Sequence, residues 1–170
     1  MNHRLKAPFV GLVALVLAVG GWFTYQQLRP AQTHPVSVSF AFDTTNRAKV
    51  AGYADAVVVG TVTGVAEVRQ GERGAPHTIF KVAVSDRLKG DVEDTILVDQ
   101  LGGTRGKDTW TVEGVQQLAV GSAYVLPLTS RNGSDEHVLV LTPTLAPVTT
   151  SGASVHVWTQ AVANQDTTVS

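Results

Sequence analysis

Three consecutive segments decide the fold: ADAVVVGTVTGVAEV at residues 54–68, TIFKVAVSDRLKGD at residues 78–91 and DTILVDQLGG at residues 94–103. They are rich in Val, Ile and Thr and are bounded by Gly, Pro and Asp, which is the pattern of β-strands joined by turns. In the second segment Phe80 and Val82 lie on one face, which is the period-2 sign of a half-buried strand. The three segments therefore predict a β-meander over which the rest of the chain closes.

Glycines in the first of these segments predict a strongly bent strand. Residues 56–59 are continuously apolar, as expected where both faces of a strand are covered. Gly60 and Gly64 follow within the same strand, and a glycine inside a strand marks a bulge or a sharp bend. Because a small closed barrel needs a long first strand that bends, this segment favours a barrel over a flat sheet.

Shorter elements are predicted before the meander. The sequence VSVSFAF at residues 36–42 alternates apolar and polar residues and predicts a strand. Residues 45–53 begin at N-capping residue types and predict a short helix on the domain surface. After the meander, residues 103–108 (GTRGKD) have the composition of a mobile loop.

Further strands are predicted after the meander. One covers residues 123–128, where Pro127 favours an edge position because proline cannot donate a ladder hydrogen bond. Another covers residues 137–141, after an Asn-Gly turn signal. Residues 155–158 (VHVW) form a candidate sixth strand, and the polar residues 159–170 predict a flexible tail.

The N-terminus predicts a membrane segment. Residues 1–8 form a basic leader, and residues 9–25 run for 17 residues without a charge. As a helix this run is about 25 Å long, near the lower limit for a membrane span. Since the positive charges precede the apolar run, the N-terminus is expected in the cytoplasm and the following chain beyond the membrane.

Two fates of this segment remain open. Trp22 and Tyr25 at its far end suit the interfacial belt of an uncleaved signal anchor, which we favour. The alternative is a signal peptide cleaved in the small-residue stretch at residues 18–20, which would release a secreted protein. In both cases a linker at residues 26–35 leads to a domain at residues 36–158 that lies outside the cell membrane.

Composition excludes several functions. The chain of 170 residues has no Cys, which excludes disulfides, thiolate metal sites, a Cys nucleophile and a lipoprotein anchor. Of its 13 Lys and Arg residues, Arg4 and Lys6 lie in the leader, which leaves 11 against 14 Asp and Glu. Nucleic-acid binding needs clustered positive charge, so we do not expect a nucleic-acid partner.

The order of these segments resembles a group of uncharacterised, secreted or membrane-anchored bacterial domains that are similar to the OB-fold barrels of netrin-like modules and tissue inhibitors of metalloproteinases. The residues that carry the resemblance are Ala54-Asp55, Val57 to Gly60, Leu88-Lys89-Gly90, Gly102-Gly103, Gly121, Tyr124 and Leu126. It implies a mainly β fold, an OB-like barrel, closed or partly open, of five to six strands with one short helix. The inhibitors reach a metal through an N-terminal Cys, which this chain lacks, so that mechanism does not carry over.

The resemblance and the absence of catalytic motifs favour a binding module with an unknown ligand. OB barrels present an open sheet face framed by loops, so we expect ligand contacts near residues 70–77 and 103–108. The candidate ligand-binding residues are Lys81, Arg87, Arg105, Lys107 and His77. A protein or glycan of the cell envelope is the expected partner besides the membrane, and no cofactor, metal ligand or catalytic residue is assigned.

Two alternatives to a binding module stay open. One is a hydrolase, metal-dependent or not, built from scattered His and Asp side chains. His137 and His156 would be cross-strand neighbours in such a site if residues 155–158 form a strand. The other is a structural subunit of a larger envelope complex.

Overall fold

The computed structural model describes residues 29–71, 74–131, 135–148 and 152–168. The chain divides into two compact units, Met1–Gln32 and Thr33–Ser170, and every strand and helix given below belongs to the second. Among the residues described, no helix has the length and apolar character needed to cross a membrane. The predicted leader and anchor at residues 1–25 lie outside those residues.

Five strands close into a barrel, which confirms the prediction of a mainly β barrel fold. The strands are β2 (Ala56–Gln70), β3 (Pro76–Lys89), β4 (Thr95–Leu101), β7 (Ala123–Ser130) and β8 (Glu136–Leu139). Their order around the barrel is β2-β3-β4-β8-β7, and β7 pairs with β2 to complete the circle. Neighbouring strands are antiparallel except β4 and β8, which run parallel.

The register of β2 against β3 shifts at four places, and two of them coincide with its glycines. The register between β2 and β3 shifts between Val59 and Gly60 and again between Val62 and Gly64. A Cβ atom added at Gly60 would lie 2.5 Å from Val82 Cγ1 and 3.2 Å from the Ala83 carbonyl oxygen. A side chain at residue 60 would therefore displace the Val82 methyl group and press on the β3 backbone, whereas a Cβ at Gly64 would meet nothing within 4 Å.

Both faces of the first half of β2 are covered, as the apolar run at residues 56–59 predicts. Val58 points into the barrel and packs with Phe80, Val82, Ile96 and other interior side chains. Val57 and Val59 point outward into a second apolar cluster, which two helices cover.

The two helices are α1 (Arg47–Tyr53) and α2 (Ala153–Ala163). The side chain of Asn46 caps α1 by accepting hydrogen bonds from the backbone N–H groups of Ala48 and Lys49, at 3.0 and 3.3 Å. Helix α1 lies where it was predicted, but it is not a surface helix. Its Val50 and Ala51 are fully buried in the outer cluster together with residues of α2.

Helix α2 corrects two predictions for the C-terminal region. Residues 155–158 are helical rather than a sixth strand, and residues 159–163, predicted as the start of a flexible tail, continue the same helix. Four apolar residues of this helix, Val155, Trp158, Ala161 and Val162, join the outer cluster, whereas Val157 is exposed. Their spacing of three to four residues is that of a buried helix face, and the alternation in VHVW conceals it.

A small three-stranded sheet of order β1-β6-β5 completes the structure. Strand β1 (Thr33–Val36) runs parallel to β6 (Asp108–Val112), which forms a hairpin with β5 (Gly103–Arg105). The prediction of a mobile loop at residues 103–108 is therefore wrong. The predicted strand at residues 36–42 is also wrong beyond Val36, since Val38 and Phe40 remain 36% and 41% exposed with no sheet face to cover.

Strand β7 tolerates Pro127 because the barrel has a local edge there. On one side, Pro127 lies opposite Val57 of β2. On the other side, its carbonyl oxygen accepts a hydrogen bond from the N–H of Val140, at 2.9 Å, and Val140 is the residue after the end of β8. The missing N–H of proline would point to that same side, where the strand ladder has already ended. The strand as a whole is paired on both sides, so it is not the edge strand that was predicted.

The close approach at Gly60 generates a stability prediction. We expect Gly60→Ala to lower the free energy of unfolding by about 1–3 kcal/mol, because the new methyl group overpacks against Val82 and the backbone of β3. Gly64→Ala is the matched control, and it should change that free energy by less than about 1 kcal/mol or increase it. Urea unfolding of the full chain followed by circular dichroism measures both, and equal effects of the two substitutions would contradict the prediction.

Candidate functional site

A cavity of about 620 Å³ opens at the end of the barrel where β2 turns into β3. We call it the barrel-end cavity, and the residues that line it are Val36, Ser37, Val38, Arg69, Gln70, Gly71, Ala75, His77, Asp99, Leu101 and Arg131. They come from the end of β1 and the segment after it, from the end of β2 and the β2–β3 turn, from β3 and β4, and from the residue that follows β7. Its volume lies in the range of small-molecule sites, about 300–1,000 Å³.

Five ionisable side chains, four from barrel strands and one from the residue after β7, contact one another at this end of the barrel, and all except Glu136 line the cavity. The members are Arg69 of β2, His77 of β3, Asp99 of β4, Arg131 directly after β7 and Glu136 at the start of β8. We call these five residues the charge network. Positive and negative groups alternate along it, so that each carboxylate lies between two basic side chains.

Asp99 is the most deeply buried member of the charge network. Its side chain is 1% exposed, although strand alternation places it on the outer face of the barrel, opposite the interior Val98. One carboxylate oxygen is 2.7 Å from His77 Nδ1, and the other is 2.7 Å from Arg131 Nη2. Both oxygens therefore have a partner, which a carboxylate shielded from water requires.

Glu136 links the two arginines of the network. Its carboxylate accepts from Arg131 Nη1 at 3.1 Å and from Arg69 Nη2. The Nε atom of Arg69 is buried and has no hydrogen-bond partner among the described residues, and its nearest ion-pair partner is Glu67 Oε2 at 3.9 Å. Arg69 lines the cavity, but its Nε atom is shielded from solvent there.

The contact with Asp99 decides the tautomer of His77. A carboxylate that already accepts from an arginine needs a donor on its second oxygen, so the proton of neutral His77 resides on Nδ1. The other ring nitrogen, Nε2, then carries a lone pair. A Cβ atom at Gly71 would lie 2.7 Å from His77 Cδ2 and 3.0 Å from Nε2, so the ring has room only because residue 71 is glycine.

The sequence-predicted ligand residues are spread over the barrel. His77 lines the barrel-end cavity, and Arg105 lies at its rim, where Nη1 donates to Gln70 Oε1 at 2.6 Å. Lys107 lies in the turn between β5 and β6 and does not line the cavity. Lys81 lies farther along β3, four residues or about 13 Å from His77. Arg87 is farther still and binds Asp94 and the Val92 carbonyl oxygen.

Four members of the charge network were missed by sequence reasoning: Arg69, Asp99, Arg131 and Glu136. Each lies at or near the end of a strand, where a charged residue is usually solvated. The one available signal is Asp99, a carboxylate within the apolar run ILVDQL. Which residues it meets depends on the parallel pairing of β4 with β8, which the sequence pattern does not reveal.

A second cavity of about 410 Å³ contains His137 and three acidic residues. Burial lowers the pKa of His137 below its ordinary value of 6.5, and the nearby Asp55 carboxylate opposes this only in part. His156 is exposed on α2, so the two histidines are not the cross-strand neighbours that a zinc site was thought to need. Within residues 29–71, 74–131, 135–148 and 152–168, no group of three or more His, Asp or Glu side chains is placed to hold a metal ion.

Comparisons with known proteins assign neither a family nor a function to this chain. No protein-family model matches the chain, and no curated protein matches it. The resemblance to netrin-like modules and tissue inhibitors of metalloproteinases therefore stays a prediction. What the barrel-end cavity can bind follows from its own side chains.

Removal of the Asp99 charge tests how tightly the network holds the barrel end. Asp99→Asn places an amide N–H₂ opposite Arg131 or His77, both donors, and we expect the free energy of unfolding to fall by about 3 kcal/mol. This is the lower end of the effect of breaking a buried ion pair, because Arg131 and His77 are 38% and 28% exposed. Asp94→Asn is the control, since Asp94 is 94% exposed and its pair with Arg87 contributes less than about 1 kcal/mol. Urea unfolding measures the free energy of unfolding of both variants. Similar decreases in the two would show that burial of Asp99 does not increase the contribution of its ion pairs to stability.

The lowered pKa of His137 predicts a pH dependence. As pH falls through 6.5 the unfolded chain binds a proton at this residue before the folded chain does, so the free energy of unfolding decreases. We expect the decrease between about pH 8 and pH 5.5 to be smaller in His137→Gln than in the natural chain. His156→Gln controls for the loss of an exposed imidazole, and a decrease of unchanged size in His137→Gln would refute this assignment.

Proposed function

We propose that the barrel is an OB-like binding module that holds its ligand in the barrel-end cavity and works outside the cell membrane. The observation that carries this proposal is the position of the cavity. In OB-fold barrels the ligand lies on the face of the second and third strands, between the loop that joins strands one and two and the loop that joins strands four and five.

The corresponding parts of this barrel are β3, β4, the turn at residues 71–75 and the connection at residues 131–135. All four contribute lining residues, namely His77, Asp99, Gly71 and Arg131. The strand order, with its single parallel pair between the third and fifth barrel strands, supports the OB-like assignment. The resemblance to netrin-like modules agrees with it.

The proposed location rests on the sequence. The basic leader at residues 1–8 and the uncharged run at residues 9–25 support an anchor that leaves the barrel on the outer side as a single-pass membrane protein, or a secreted one if the leader is cleaved. A protein or glycan of the cell envelope is then the proposed partner. A nucleic-acid ligand is disfavoured because the arginines of the cavity are already paired with carboxylates.

A second candidate is a hydrolase, and one contact favours it. The buried Asp99 orients His77 as the carboxylate of a catalytic triad orients its histidine, and Ser37 lines the same cavity. No hydrogen bond among the described residues joins His77 to a hydroxyl group, which leaves the nucleophile undefined. Hydrolysis of p-nitrophenyl acetate that disappears in both His77→Gln and Ser37→Ala would favour this candidate over a binding module.

Blocking the cavity tests the binding module. Ser37 is exposed at the cavity wall, so Ser37→Trp fills the cavity with little effect on the core. Ser39→Trp is the control, because it adds the same ring at an exposed residue that does not line the cavity. The probes are neutral tetrasaccharides, tetragalacturonate and a single-stranded DNA decamer, titrated by calorimetry into the full chain in a polyoxyethylene detergent. We expect at least one probe to bind, with a dissociation constant about 10-fold or more weaker in Ser37→Trp, a change of about 1.4 kcal/mol.

The Ser39→Trp variant should bind that probe as the natural chain does. Binding that both tryptophan variants weaken equally, or no binding by any probe, would overturn the assignment of the barrel-end cavity as a ligand site.

A further inference from the structure

The second half of strand β2 has an unpaired edge. Strand β2 pairs with β3 along almost its whole length, from Val57 to Gln70, but with β7 only from Ala56 to Thr61. Val62 makes the last backbone hydrogen bonds on that side, to the turn before β7, at 2.8 and 3.0 Å. Beyond Val62, no strand of the described chain pairs with β2 there. We call residues 63–70 the open edge.

Solvent reaches the open edge from both faces of the strand. Four consecutive residues, Val65 to Val68, are exposed, although the side chains of a strand alternate between its faces. Val65 and Val68 are 50% and 38% exposed, and neither packs against the two apolar clusters of the fold. Residues 63–70 also contain no proline. A long edge with unpaired backbone groups and exposed β-branched side chains is a template for another strand.

The charges of the open edge favour a second copy of this chain as that strand. Glu67 and Arg69 flank Val68, and they project from the same face because residues 67–70 pair with β3 in regular register. In an antiparallel pair centred on Val68, each Glu67 lies opposite the Arg69 of the other copy. Both side chains remain accessible, at 60% and 36% exposure. Each such cross-strand pair of opposite charges contributes about 0.2–1 kcal/mol, and the symmetry of the pair forms it twice.

Other partners of the open edge lose this match. A pair of copies centred on Glu67 or on Arg69 would place two like charges directly opposite each other, which is destabilising. A foreign strand would have to offer the reverse order of charges two residues apart, because it meets a carboxylate and a guanidinium on the same face. A two-fold pair of identical chains supplies that order from its own sequence, and two-fold dimers are the commonest oligomers.

We propose that the open edge of β2 is a dimer interface, at which two copies of this chain pair antiparallel about Val68. In this register Val65 of one copy lies opposite Gly71 of the other, so residues 65–71 of each chain take part. An interface of this size is small, and the dimer it forms is weak and reversible. Because Arg69 and Gly71 also line the barrel-end cavity, the second copy lies at the rim of that cavity.

The first test measures the oligomeric state of the full chain in a density-matched polyoxyethylene detergent. Sedimentation velocity over about 5–200 µM covers the range in which weak interfaces dissociate, and we expect a monomer–dimer equilibrium. Val68→Lys places two like charges opposite each other at the centre of the pair, so the dissociation constant should rise about 10-fold or more. Val120→Lys is the matched control, because Val120 is 56% exposed and lies outside the strands.

The second test uses the absence of Cys from the natural chain. In the proposed dimer Val68→Cys places two thiols directly opposite each other, with Cα atoms about 4.5–5.5 Å apart, which is the distance of a disulfide. Val65→Cys is the control, because its two thiols are six residues or about 20 Å apart along the strands. With oxidised glutathione as the oxidant, we expect a covalent dimer of Val68→Cys and not of Val65→Cys on non-reducing electrophoresis.

Three outcomes would overturn the inference. The first is a natural chain that stays monomeric over the whole concentration range. The second is dimerisation that Val68→Lys leaves unchanged, because the contact would then lie elsewhere in the chain. The third is equal crosslinking of the two Cys variants, which would contradict the register about Val68. Thermal unfolding checks that every variant keeps a folded barrel, and none of these outcomes decides whether the barrel-end cavity binds a ligand.

Discussion

The buried carboxylate of Asp99 is the constraint on which this end of the barrel depends. A carboxylate that is 1% exposed is tolerated only if positive or donating groups replace the water it has lost. Arg131 and His77 do so, but Arg131 is itself held by Glu136, which also binds Arg69. One buried charge on β4 therefore fixes side chains on the four other barrel strands or at their ends. The network therefore joins the strand ends by ion pairs at the end of the barrel, beyond its apolar interior.

This arrangement exists only because β2 bends and the barrel closes. The close approach at Gly60 lets β2 pair with β3 on one side and with β7 on the other, and its apolar run then separates the barrel interior from the helix layer. Closure brings the chain back so that β8 lies parallel to β4, which places Glu136 next to Arg131 and near Asp99. Neither contact would form in an open meander of β2, β3 and β4.

Local patterns in the sequence were enough to predict the strands of the barrel and their curvature. Alternation in β3 and β4 and the glycines of β2 act over a few residues, and each was found where it was expected. The C-terminal helix was missed because VHVW satisfies the strand period and the helix period at once, and burial of Trp158 against α1 and β2 selects the helix. Of the site, only His77 was anticipated, because its loop was polar and rich in glycine and proline. Its partners are joined by contacts between distant segments, such as Asp99 with Arg131, which no local period encodes.

The charge network has a structural role, and its members meet the demands of that role unequally. A network that only stabilises the barrel end needs a partner for each of its buried donors and acceptors. Asp99 meets that condition, because both of its carboxylate oxygens have a partner. Arg69 does not meet it, since its buried Nε–H has no acceptor within the described chain. The Arg69 guanidinium meets Glu136 through Nη2, while Nε is shielded from solvent, so the unmet donor is a local cost of holding the barrel end together. Among the described residues, two arginines and two carboxylates of the network pair with one another, so the ion pairs at this end of the barrel nearly balance in charge.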